Sequence, residues 1–190
     1  MITVSTSDRA YHHGDLRSAL VAAALASVGE ADALSLRAVA RQVGVSATAV
    51  YRHFPDKQAL LAAVASAGLE QLGAAQRAAF EAAGGGLAGF NATGVAYVRF
   101  AFDNPALFRL IFAQPAGEAM REAADVSDDA MTFLLANAAA LAPEGVDARV
   151  FALQAWSIAH GLAMLMLDGL VPVDWAIVRQ VIDAHAMAGQ

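Results

Sequence analysis

The sequence predicts an all-α protein, and three features carry that reading. Alanine, the strongest helix former, supplies roughly a quarter of the chain. Runs of β-branched residues are short, and apolar side chains recur at helical spacings nearly throughout instead of alternating as in strands. About nine helices are expected, in a small N-terminal unit over residues 1–54, completed by the start of the helix at 55, and a larger one over 55–190. With 190 residues, 58% hydrophobic residues and no cysteine, the chain can bury a sizeable core without a disulfide framework.

The first helix is expected to open near His13 or Gly14, to present Leu16, Leu20, Ala23, Ala24 and Leu25 on one face, and to end by Gly29. Ser35 stands as an N-cap before Leu36, Val39, Ala40 and Val43, and Gly44 stops that second helix. Ser46 caps a third, shorter helix running to Arg52 or His53. Pro55, at a first helical position, opens a long fourth helix toward Phe80, and Gly84, Gly85 and Gly86 break it. Further helices are expected over Phe90 to Phe102, over Leu107 to Phe112, from an N-cap at Ser127 to Pro143, over Val146 to Leu167, and from Asp174 to about Met187, with a loosely defined segment around Met120.

Charge and hydropathy narrow the partners. The net charge of -6 divides unevenly, about +1 through residue 60 and about -7 after it, so the first third is expected to meet a different partner from the rest. No basic region followed by an apolar run opens the chain, and a cytoplasmic protein is expected. Val150 to Leu167 lacks formal charge over nearly a bilayer-spanning length, but Gln154, Ser157 and His160 interrupt it, and it reads as a core helix with no membrane partner.

Two short helices joined by Gly44-Val45-Ser46, with a supporting helix before and a long one after, form a helix-turn-helix unit. The second short helix of such a unit enters the major groove of DNA. Ala47, Thr48 and Ala49 are small enough for close backbone approach, and a methyl of Ala47 or Thr48 suits thymine. Arg52 suits guanine or a phosphate, while Tyr51, His53 and Lys57 suit phosphates, Lys57 from the first turn of the next helix. Ser35 and Arg37 complete the expected DNA-binding set, and Val45, Val50 and Phe54 are expected to face inward.

The ordered residues Ser35-Leu36-Arg37-Ala38-Val39-Ala40, Gly44-Val45-Ser46, Tyr51-Arg52-His53-Phe54, Lys57 and Leu60 resemble the helix-turn-helix signature of tetracycline-repressor (TetR) family regulators. The resemblance implies that Ser46, Thr48, Tyr51, His53 and Lys57 contact DNA. Ser35 stands where threonine is more usual and Val43 where alanine is common, and neither departure removes a cap or a core contact. Tyr11 to Arg17, Asn104 to Phe112, and Trp156 with His160-Gly161 look like the subgroup with a WHG-type C-terminal domain, extending the resemblance over most of the chain. It implies repression as the default action and an effector site of unstated chemistry.

A groove-binding domain needs a two-fold partner to reach paired half-sites. Leu153, Trp156, Ser157, His160, Gly161, Met164 and Leu165 form one stripe, and Val178, Val181, Ile182 and His185 another. From these, Ser157, Gly161, Leu165, Val178, Val181, Ile182 and His185 are the expected homodimer interface, a four-helix bundle. Tyr97, Phe100, Phe108, Phe112, Met131, Trp156, His160 and Met164 are the expected lining of a largely apolar effector pocket, with core filling as the alternative reading; Phe133 belongs to the same aromatic set. Effector binding would then act through the long fourth helix as a lever.

No catalytic residue, cofactor or metal is expected. The chain has no cysteine, no glycine-rich phosphate loop after a strand and no His-Glu pair at metal spacing; adjacent His12 and His13 point apart on a helix, and Asp125, Asp128 and Asp129 read as a solvated helix start. An all-α enzyme and a helical interaction module without DNA binding remain the rival readings.

Overall fold

The computed structural model describes residues 13–29, 34–113 and 129–183. Among these residues it is all helical: α1 His13–Ala26, α2 Leu36–Val43, α3 Ala47–Tyr51, α4 Lys57–Ala82, α5 Gly86–Asp103, α6 Pro105–Ala113, α7 Asp129–Leu141, α8 Ala148–Leu167 and α9 Trp175–Ile182. The segment around Met120, the Ser127 cap and the chain beyond Asp183, with His185 and Met187, lie outside the described residues. The chain divides into two compact units, Met1–Val64 and Ala65–Gln190.

Side-chain chemistry at the helix ends explains most boundaries. Ser35 and Ser46 adopt extended conformations and accept hydrogen bonds from the N–H groups of Ala38, at 3.1 Å, and Ala49, at 3.2 Å. Between them Gly44 turns the chain at φ +78°, a left-handed conformation that favours glycine. The fourth helix starts at Lys57 instead of Pro55, because Asp56 takes the N-cap position and its Oδ1 accepts from Ala59 N–H at 2.8 Å. Asp147 moves the start of α8 from Val146 to Ala148 in the same way, and Asp174 caps α9 so that it begins at Trp175. The helix after the glycine triplet starts at Gly86, ahead of the expected Phe90, because Gly85 itself serves as N-cap at φ +74°. Pro105 occupies the first position of α6, where its missing N–H costs nothing.

In the smaller unit α2 packs on α1 and α3, and Leu20, Ala24, Val39, Val50, Phe54, Leu60 and Val64 form the core. Ser27 and Gln42 exchange hydrogen bonds, joining the end of α1 to α2, and the Arg17 guanidinium lies 5.3 Å from the Phe54 ring centroid. This core fixes the turn that carries α3.

In the larger unit α5 is central, packing on α6, α7, α8 and α9. Phe90 and Phe151 stack at 5.5 Å beside Ala138 and Ala152, with Leu87, Leu134, Leu135 and Leu141 around them. Close approach depends on glycine at two positions: a Cβ on Gly68 would meet Leu107 at 2.8 Å, and one on Gly94 would meet Ile182 at 2.5 Å. Among the described residues α8 alone is long and apolar enough to cross a membrane by length and composition.

Candidate nucleic-acid interface and interior aromatic cluster

Capping by Ser46 and the Gly44 turn fix where α3 begins, and Val50 with Phe54 anchors its inner side. Its outer side is therefore left to solvent. Ser46, Thr48, Arg52 and Lys57 are exposed, Tyr51 is 49% exposed, and Ala47 and His53 are partly covered. The Tyr51 hydroxyl makes no hydrogen bond among the described residues. A cleft of about 320 Å3 brings together Ser35, Arg37, Tyr51 and Lys57, walled also by Leu36, Pro55 and Asp56. Four residues expected to face DNA thus border one depression, with Thr48 and Arg52 exposed on the groove helix itself.

The chemistry of this depression suits an anion. Ser35 already accepts from the backbone through Oγ, which leaves its O–H available to donate. Arg37 and Lys57 add two positive charges against the one carboxylate of Asp56, which already caps the Ala59 N–H at the start of α4. Pro55 and Asp56 were not read from the sequence as part of this place. The Asp56-Lys57-Gln58-Ala59 order carried the capping signal, but the preceding proline drew the helix start two residues too early.

In the larger unit Tyr97, Phe108, Phe112, Trp156 and His160 form one aromatic cluster. Trp156 Nε1–H donates to Tyr97 Oη at 3.2 Å, and Tyr97 Oη lies 2.8 Å from His160 Nδ1. Indole only donates, so the tyrosine oxygen accepts from Trp156, and the same hydroxyl is paired with Nδ1 of His160. Burial pushes the Tyr97 phenol above its ordinary range, against the smaller opposing effect of the Trp156 hydrogen bond, and burial lowers His160, so both stay uncharged near neutral pH. Phe108 packs edge-on to Tyr97 at 5.5 Å, and Phe112 lies 4.7 Å from His160.

The other residues expected at an effector pocket lie on α5, α7 and α8. Phe100 is buried on α5 without a ring contact to this cluster among the described residues, Met131 and Met164 are half-buried on α7 and α8, and Phe133 meets Phe80 edge-on at 5.3 Å.

On α8, Val150, Leu153, Ser157 and Leu165 are exposed, and a Cβ at Gly161 would meet nothing within 4 Å, so Leu153, Ser157, Gly161 and Leu165 of the expected stripe form an open face, whereas its Trp156 and His160 belong to the aromatic cluster. On α9 the phase differs from expectation. Val178 is fully buried and Ile182 is 6% exposed, whereas Ile177 and Val181 face out. Ile182 fills the space above Gly94 on α5, so Val178 and Ile182 belong to the core of the chain itself and cannot also meet a second copy.

Residues 90–185 match the family described as tetracyclin repressor-like, C-terminal domain, and residues 20–64 match bacterial regulatory proteins of the tetR family. Among solved structures, a protein of unknown function from Rhodococcus sp. RHA1 is 34% identical, with a TM-score of 0.75 and coverage of 95% of this chain and 96% of that one. A candidate regulatory protein, SCO4313, is similar at 23% identity and a TM-score of 0.68, over 97% of this chain and 100% of the other. A candidate transcriptional regulator from Pseudomonas aeruginosa PAO1 is similar at 22% identity and a TM-score of 0.70, over 96% and 95%. A comparison with curated proteins gives no match.

Proposed function

The chain belongs to the tetracycline-repressor family of bacterial regulatory proteins, as a DNA-binding transcription regulator and not an enzyme, and from that premise we propose that it acts as a homodimeric repressor. In this reading the cytoplasmic dimer binds a palindromic operator through residues 46–53 of each copy, and a small, largely apolar effector releases it. The DNA-binding domain comprises residues 1–54 with the start of α4, and residues 55–190 hold the effector and the second copy.

One observation carries the proposal: Ser35, Arg37, Tyr51 and Lys57 border a single cleft beside an exposed groove helix. Tyr51, His53 and Lys57 hold phosphates, Ala47 and Thr48 meet base edges, and Arg52 takes guanine or phosphate. The effector occupies the region of Tyr97, Phe108, Phe112, Trp156 and His160 with Phe100, Met131 and Met164, and favours one spacing of the two groove helices over another. The WHG-type character of the C-terminal domain rests on Asn104 to Phe112 and on Trp156 with His160-Gly161.

The test is binding-site selection from a random duplex pool, followed by titration of the selected duplex at rising salt. Lys57→Ala and Tyr51→Phe are expected to weaken all duplexes alike, Lys57→Ala reducing the salt slope by about 1, while substitution of Thr48 shifts sequence preference. Equal binding by the parent and all three variants would reject the interface and favour an interaction module.

A further inference from the structure

A groove of about 510 Å3 opens in the larger unit, away from the aromatic cluster. Its volume falls within the roughly 300–1,000 Å3 of small-molecule sites. Ala92, Val95 and Ala96 of α5 supply an apolar wall, and two arginines border it, Arg99 from α5 and Arg179 from α9. None of Tyr97, Phe108, Phe112, Trp156 and His160 lines it.

The two guanidinium groups distinguish this groove from an ordinary surface furrow. Arg99 lies 4.2 Å from the Trp175 ring centroid, a contact that holds the group in place and engages its charge but satisfies none of its N–H donors. Neither Arg99 nor Arg179 makes an ion pair or a side-chain hydrogen bond among the described residues. The acid at the groove, Asp183, accepts from Asn91 Nδ2 at 3.0 Å. Among the described residues, two cations against one acid leave a net positive site over apolar carbon, and Asp183 disfavours an anion of higher charge.

We propose that this groove binds a small amphipathic monocarboxylate, with its hydrocarbon along Ala92, Val95 and Ala96 and its carboxylate held by Arg99 and Arg179. A planar carboxylate matches the guanidinium fork, which takes it through two parallel hydrogen bonds. The apolar wall adds affinity that a free inorganic anion lacks. The site goes beyond the regulator reading, and its test uses no DNA, so either can fail while the other stands.

The experiment is calorimetric titration of the full-length protein with octanoate, 1-octanol and octylammonium. Octanoate is expected to saturate at one site per chain and to bind at least tenfold more tightly than the other two. Arg99→Gln with Arg179→Gln, both on exposed side chains, is expected to cost octanoate at least tenfold while the far-ultraviolet circular dichroism stays unchanged. Absence of saturable octanoate binding, equal binding of octanol, or undiminished octanoate binding by the folded double variant would each overturn the proposal.

Discussion

At the residue scale the Trp156–Tyr97–His160 chain shows how burial sets charge. Trp156 donates to the Tyr97 oxygen, Tyr97 pairs with His160 Nδ1, and burial holds both the phenol and the imidazole in their neutral forms. Tyr97→Phe removes the shared hydroxyl and leaves the indole N–H and Nδ1 without it, so denaturant unfolding is expected to show a loss of about 1–3 kcal/mol. Burial lowers the His160 pKa below the ordinary 6.5, which means the folded chain binds fewer protons than the unfolded chain just below that value. Stability is therefore full above about pH 6.5 and falls as pH drops through the folded pKa. Melting temperatures between pH 7.5 and 5 are expected to fall less steeply in His160→Gln than in the parent, and parallel curves would remove His160 as the cause. None of this was legible in the sequence as a chain of bonds, because its members lie 59 and 63 positions apart. By contrast the Ser35 to Lys57 set was legible, because one short continuous stretch brings it together.

At the scale of elements, the caps decided where helices begin, and the sequence displayed them unevenly. Ser35, Ser46 and Gly44 are read directly from residue type, whereas Asp56 follows a proline that looks like a helix start. The face presented by α9 was a harder matter. Trp175–Ile182 carries apolar residues on both sides, so periodicity alone fits either Val178 with Ile182 or Ile177 with Val181 against the core. Packing on α5 chooses between them, through Gly94, where Ile182 Cγ2 sits 2.5 Å from the place a Cβ would occupy. Gly94→Ala is accordingly expected to destabilise by about 1–3 kcal/mol through overpacking, outweighing the roughly 1 kcal/mol gained in helix propensity. Ile182→Ala vacates that space, so the double variant should lose less than the sum of the two single losses. Additive losses in denaturant titrations would show that the two side chains do not compete for one volume.

At the scale of the whole molecule, the outward apolar face of α8 must be reconciled with a regulator that works in water. Single exposed apolar residues need no explanation, but Val150, Leu153 and Leu165 share one helix face, and Leu153 is 58% exposed. Gly161 on the same face leaves open space where a side chain would otherwise hold a neighbour away. In the homodimer proposed above, a second copy of the chain would account for that combination, since a two-fold contact sets identical apolar stripes against each other and lets glycine admit close approach. It also supplies what groove binding needs, two recognition helices about 34 Å apart on one duplex. Leu153→Glu places a charge on the proposed seam at a side chain that is more exposed than buried. Sedimentation at micromolar concentration is expected to show a dimer for the parent and a monomer for the variant, with helical content unchanged. Operator affinity should then fall by more than tenfold, because each half-site would be held alone and the second contact would no longer be intramolecular. A Leu153→Glu chain that stays dimeric and binds its operator as the parent does would move the interface to another face of the protein.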